Sequence, residues 1–427
     1  MLDLEINKFY KNTYNISNEV LKITEDAEKE VEKYAENARK VCEYNSVKVL
    51  SAFNKHKICE AHFYPTTGYG YDDNGRDTLD MVYADVFGAE DALVRHNIVN
   101  GTQAISLCFY GILRPGDTVV AATGRPYDTL EEVIGLRGEN GNGSLKDFGI
   151  NYKEVALKND KIDIDALVKS IDKTCKMVAF QRSKGYAWRN SLSVDEIGEA
   201  ITAVKAVNKD IICFVDNCYG EFAEEKEPCD VGADLAAGSL IKNPGGGICR
   251  SGGYIVGTKK CIELVSYRMT CPGIGRECGA SLGENRFMYQ GLFLAPHIVY
   301  QSIKSAMLVS AVFDKLGFDV MPKISDRRTD IIQAVKLGNG EKLVKFCQGI
   351  QKGAPIDSFV VPEAWDMPGY ESQVVMAAGA FTQGSSIEIS ADGPMREPYI
   401  AFYQGGLTYE TAKVAVMAAA ENVIKCK

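Results

Sequence analysis

From about Leu79 to Tyr267, short apolar runs alternate with longer amphipathic segments, and this alternation constrains the 427-residue chain more than any other feature. Ala92–Arg95, Thr118–Ala122, Met177–Gln181, Ile211–Asp216 and Gly253–Val256 have the length and apolar character of buried strands. Between them lie helical patterns. Thr102–Leu113 is closed by the turn Arg114-Pro115-Gly116-Asp117, and a later helix opens at Ser193-Val194-Asp195-Glu196, the signature of a capping box. Strand and helix in alternation build a mainly parallel sheet flanked by helices, an α/β fold. Ligands of such sheets sit beyond the carboxyl ends of the strands.

The flanking segments differ. Val20, Ile23, Ala27, Val31, Tyr34, Ala38 and Val41 recur at helical spacing and predict one long amphipathic helix. Tyr64 to Gly75 is rich in glycine, aspartate and tyrosine and predicts a loop with exposed rings. Beyond residue 283 come a helical run, Pro296–Phe313, shorter elements and a terminal alanine-rich helix. The expected division is a helical arm over 1–55, a large domain over 56–282 and a smaller α/β domain over 283–427.

A net charge of −9 has the wrong sign for phosphate backbones or anionic membranes, so neither nucleic acid nor membrane is an expected partner. No run of about 18 apolar residues and no basic leader are visible, which predicts a soluble cytoplasmic protein. The 13 cysteines are odd in number and none shows C-x-x-C spacing; reduced thiols are expected. The four histidines are scattered, and no metal site is expected.

Three polar features lie at the ends of predicted strands. Asn100-Gly101-Thr102-Gln103 opens a helix, where backbone N–H groups, a hydroxyl and the helix dipole suit a phosphate. Asp216 ends an apolar strand, and a buried carboxylate implies a cationic partner. Lys242 follows Ala237-Gly238-Ser239-Leu240-Ile241 and precedes a glycine turn; desolvation there lowers a lysine's pKa and makes it a nucleophile toward carbonyls. Each alone has a plain structural explanation: a helix cap, a turn cap, a snorkelling lysine. Together, in this order, they are what pyridoxal phosphate requires. Lys242 would hold its aldehyde, Asp216 its ring nitrogen, and Gly101, Thr102, Gln103 and Ser239 its phosphate, with Tyr127 stacked on the ring.

Those residues lie in stretches that resemble a known family. TGYGYDDNGRDTLDMVYADVFGAEDALVRHNIVNGTQAI, QRSKGYAWRNSLSV, VDNCYGEF and GSLIKNPGGG resemble the methionine gamma-lyase family, specifically its aluminium resistance branch, within the fold-type I pyridoxal-phosphate enzymes of cysteine and methionine metabolism. The resemblance implies a loop reaching the neighbouring subunit's phosphate, with its tyrosine at Tyr69 and Tyr71 where the family has arginine. It also implies a ring-stacking tyrosine at Tyr127 and a phosphate-binding serine at Ser239, with Ile241 replacing the usual hydroxyl residue. Arg182 falls where a residue near the ring or substrate is expected, and Arg396 where an arginine binds the substrate carboxylate. A homodimer or homotetramer with active sites at the subunit interface follows from the same resemblance.

The expected activity is a carbon–sulfur lyase acting on methionine, cystathionine or cysteine, with Lys242, Asp216 and Tyr127 as its catalytic residues. Two other classes are open: a γ-replacement transferase or aldolase on the same scaffold, and a protein that sequesters aluminium through its surplus acids.

Overall fold

The computed structural model describes residues 2–367 and 370–426. Its helices are α1 (Leu2–Tyr14), α2 (Asn18–Lys55), α3 (Asn74–Val86), α4 (Gly101–Ile112), α5 (Asp128–Ile134), α6 (Ile164–Ser170), α7 (Val194–Val207), α8 (Lys259–Met269), α9 (Asn285–Lys315), α10 (Gly340–Lys352) and α11 (Tyr409–Lys425). Two compact units divide the chain, one comprising Tyr44–Gly185 and Ser191–Ala295, the other the remainder. Both principal boundaries fall inside helices, α2 and α9, rather than at residues 55 and 282.

The larger unit is built on β1 (Asp91–Arg95), β2 (Thr118–Ala121), β3 (Asn151–Glu154), β4 (Cys175–Gln181), β5 (Ile212–Asp216), β6 (Leu235–Ser239) and β7 (Gly253–Gly257). They form one seven-stranded sheet in the order β1-β7-β6-β5-β4-β2-β3. From β3 across to β6 every pair is parallel; β7 alone runs against its neighbours β6 and β1. The five strands expected from the sequence are all present. β3 and β6 were not expected: β3 is polar and largely exposed, and β6 is the small-residue run that precedes Lys242.

Local chemistry places the helices. Ser193 and Glu196 form the expected capping box on α7, and Asn100 caps α4 by accepting from the Gln103 backbone N–H at 2.8 Å. From α4, Phe109 meets Phe214 of β5 edge-on at 5.4 Å, inside a core that includes Ile105, Met177, Leu235 and Ile255. Asp80 of α3 accepts two hydrogen bonds from the Arg95 guanidinium, at 2.7 and 2.9 Å, and a third from the Val94 backbone at 2.8 Å.

The second unit carries a five-stranded sheet in the order β10-β11-β12-β9-β8, from β8 (Asp319–Met321), β9 (Gln333–Lys336), β10 (Val374–Ala377), β11 (Ser390–Pro394) and β12 (Ile400–Gln404), antiparallel throughout. Tyr186–Asn190 belongs to it: the Tyr186 hydroxyl donates to Asp392 at 2.7 Å, and its ring packs 5.3 Å from Phe402. α9 is long and apolar enough to cross a membrane by length and composition, but 61% of its most apolar window is buried inside the protein.

Candidate active site

β5 and β6 are neighbours in register, Asp216 opposite Ala237, so both strands deliver their last residues to one edge of the sheet. Asp216 ends β5 and Ser239 ends β6. After Ser239 the chain turns, the Lys242 N–H donating to the Ser239 carbonyl at 3.3 Å. Lys242 is half-buried, and its Nζ lies 3.9 Å from the centre of the Tyr219 ring. Tyr219 stands on the turn after Asp216. It keeps a left-handed φ of 72°, unusual for a side-chain-bearing residue.

The charges around this lysine differ from what burial alone implies. Desolvation does oppose its positive charge, but Cys218, Tyr219 and Asp216 outweigh it and hold the ammonium above the ordinary lysine range. The expectation of a lowered pKa is therefore corrected. Its reason is topological, because the turn after β5 folds an acid and a ring back onto the amine. Burial pushes the Asp216 carboxyl up, with the nearby Lys242 charge and the Cys218 backbone N–H, at 3.1 Å, pulling it back. Burial also raises the Cys218 thiol well above its usual value, reinforced by Asp216. Glu221, on the same turn, is pushed up to about 8, chiefly by burial; it accepts from the Tyr254 hydroxyl at 2.9 Å.

Beneath the turn lies Arg182. Its guanidinium is fully buried and donates to Asn217 Oδ1 and Glu224 Oε2, both at 2.7 Å. A Cβ at Gly220 would sit 2.4 Å from this guanidinium, so only glycine lets the turn lie on it. Arg182, expected near a ring or a substrate, thus has donors committed to bracing the turn.

At the start of α4, a Cβ on Gly101 would stand 3.3 Å from Ser239 Cβ and 3.5 Å from Cys218 Sγ. The expected phosphate cup, the end of β6 and the turn after Asp216 therefore converge. Thr102 pairs its hydroxyl with Thr129 at 3.1 Å, and Gln103 is exposed, its side-chain oxygen accepting from the Val99 N–H at 2.6 Å. Tyr127 caps α5; its N–H donates to Gln181 Oε1 at 2.8 Å, and Gln181 lies opposite Asp216 in the β4–β5 register. Tyr69 and Tyr71 are exposed and stack on each other at 5.5 Å. Arg396 is exposed in the turn between β11 and β12, on the second unit.

Of the residues singled out in the sequence, the structure brings Gly101, Asp216, Ser239 and Lys242 to one edge of the sheet. Cys218, Tyr219 and Glu221 were missed as neighbours of the lysine. They stood in the stretch VDNCYGEF, but nothing local in it announces a left-handed tyrosine under a distant amine.

The methionine gamma-lyase family profile matches residues 20–424. The chain belongs to the methionine gamma-lyase family. The uncharacterized protein YnbB of Bacillus subtilis is 56% identical over 386 residues, 90% of this chain and 92% of that one. A carbon–sulfur lyase involved in aluminum resistance from Clostridium novyi NT has a crystal structure 53% identical in sequence, with a TM-score of 0.93 over 96% of this chain and 97% of its own. A Clostridium acetobutylicum relative of known structure is 49% identical, with a TM-score of 0.96 over 99% and 100%. The pyridoxal-5'-phosphate-dependent YhfS of Escherichia coli, 14% identical with a TM-score of 0.61 over 91% of this chain and 97% of its own, shares the fold alone. That fold is fold-type I, and the methionine gamma-lyase family chain described here is related to carbon–sulfur lyases.

Proposed function

We propose that this chain is a pyridoxal-phosphate-dependent carbon–sulfur lyase that eliminates a thiol from methionine, cystathionine or cysteine, with one water then hydrolysing the remainder to ammonia and a 2-oxo acid. The observation that carries the reading is the convergence at one sheet edge of Asp216 at the end of β5, the turn after β6 that bears Lys242, and Gly101 at the start of α4, which leaves no side chain between that helix and Ser239. These residues fit the cofactor: a buried acid for its ring nitrogen, an amine for its aldehyde, and a helix start stripped of Cβ for its phosphate. Gly101, Thr102, Gln103 and Ser239 would take the phosphate, Asp216 and Lys242 the two ends of the ring, and Tyr127 its face.

When bound, the cofactor supplies an electron sink for negative charge at the substrate's Cα. The remaining work falls to the chain's own groups. Lys242 Nζ takes the Cα proton and returns it later in the cycle. Asp216, anchored by the Cys218 N–H, keeps a proton facing it in place. Tyr127 Oη donates the proton that the departing sulfur needs. Arg396 would grip a carboxylate with its planar guanidinium, which does so better than an ammonium. The site is proposed to be completed in a homodimer or homotetramer by Tyr69 and Tyr71 of a second copy.

Adding pyridoxal phosphate to the purified protein gives a visible absorbance band on this reading, and incubation with methionine, cystathionine and cysteine releases thiol and 2-oxo acid from at least one. Lys242→Ala loses both the band and the thiol. Full thiol release without Lys242 overturns the assignment.

A further inference from the structure

We infer that Tyr219 is a positioning residue that seats the amine of Lys242 on its ring face, keeping the released, protonated lysine at the site. The inference rests on the reading of Lys242 as the cofactor lysine and adds a residue to it. Four observations support it. Lys242 Nζ stands 3.9 Å from the Tyr219 ring centre, within the range where a cation is held by the ring quadrupole. Tyr219 keeps this position with a φ of 72°, a conformation that disfavours any L side chain and survives only where surrounding structure imposes it.

That structure is visible on both sides. Asn243, the residue after Lys242, donates from Nδ2 to the carbonyls of Tyr219 and Glu221, both at 3.0 Å, so the segment bearing the amine is stitched to the turn bearing the ring. From below, Arg182 holds Asn217 and Glu224 and presses on Gly220. The strained tyrosine is thus gripped by the residue adjacent to its proposed cargo and by a buried brace.

The chemistry explains why such a seat is useful. A lysine that leaves a carbonyl when the substrate amine replaces it becomes a free amine, and on taking the Cα proton it becomes an ammonium carrying that proton to its next acceptor. The ring face stabilises the ammonium without accepting its proton. A carboxylate at the same distance would bind it more tightly and compete for that proton. Asp216, Cys218 and Glu221 are the other titratable groups coupled to this amine, all on β5 and its turn.

The test uses the full-length protein without cofactor. Competitive labelling with acetic anhydride across pH, read lysine by lysine by peptide mass spectrometry, gives the pH midpoint of Lys242 separately from its accessibility. In Tyr219→Leu the midpoint falls by about one pH unit, while in Tyr219→Phe, which keeps the ring and loses only the hydroxyl, it falls by clearly less. Should Tyr219→Leu fail to fold, Tyr219→Gly, which relieves the backbone, is read the same way. An unchanged midpoint in a folded ring-less variant overturns the seat, and so does a fall in Tyr219→Phe as large as in Tyr219→Leu. A second readout is the rate at which the visible band forms with pyridoxal phosphate at different pH values, whose midpoint falls in the same variant. If the parent protein forms no band, the cofactor reading fails, while the labelling still decides the seat.

Discussion

Glu221 is buried on the turn that carries Tyr219, and its ionisation bears on stability. Its carboxyl is pushed up to about 8 by burial, and Gly238 leaves just enough room for it and for the Tyr254 hydroxyl, since a Cβ there would lie 2.5 Å from Oε1. In the unfolded chain a glutamate titrates at about 4.3. Between these two values the folded protein keeps a proton that the unfolded chain releases. Its contribution to stability is therefore complete below the unfolded value and is lost as pH rises through the folded one. The melting temperature of the cofactor-free protein falls from about pH 5 to about pH 8 for this reason, and Glu221→Gln, neutral throughout, removes that part of the slope. Thermal melts of both proteins across the range check it; parallel slopes refute it.

At the scale of elements, Asp80 ties α3 to β1. Asp80 and Arg95 are both buried, and the Asp80 carboxylate accepts two bonds from the guanidinium and one from the Val94 N–H. Burial raises the Asp80 carboxyl, and the Arg95 charge opposes that rise. Removing one member leaves an uncompensated charge inside the protein, at a cost of about 3–5 kcal/mol. Asp80→Ala is expected to lower unfolding free energy by that amount in urea titration, whereas removing an exposed pair such as Lys8–Glu5 changes it by less than about 1 kcal/mol. A loss below about 1 kcal/mol at Asp80 would mean that the pair is not the pin described.

The assembled molecule poses a different question, because the loop that carries Tyr69 and Tyr71 shows its rings to solvent while its backbone is held firmly. Gly279 donates to the Tyr69 carbonyl at 2.9 Å, Leu282 to Thr66 at 3.2 Å, and the Arg76 guanidinium to Gly70 at 2.7 Å. Ordered backbone with exposed, stacked aromatics suits a surface that meets another copy. On the proposal that it completes the neighbour's site, Lys242→Ala and a Tyr69→Ala/Tyr71→Ala double variant are each inactive, yet a mixture allowed to exchange subunits recovers about a quarter of parental activity, since half the pairs are mixed and each has one intact site. Thiol release before and after mixing decides, and no recovery with exchange verified by mass refutes the shared site.

How much of this was legible beforehand depends on the range of the interaction. The alternation of apolar runs, the capping residues at Ser193 and Asn100, and the acid closing β5 are local. A strand's period and a helix's cap are set within a few residues, so the α/β class and the edge holding Gly101, Asp216, Ser239 and Lys242 could be read from the chain. β3 escaped because exposure on the sheet's rim removes the apolar signal, and β6 because small residues carry little of it. The protonation of Lys242, the ring of Tyr219 beneath it and the commitment of Arg182 to a brace were decided only by tertiary structure. Each depends on groups distant in sequence meeting where water is excluded, and there a few ångströms determine whether a charge is stabilised, neutralised or tied to a neighbour.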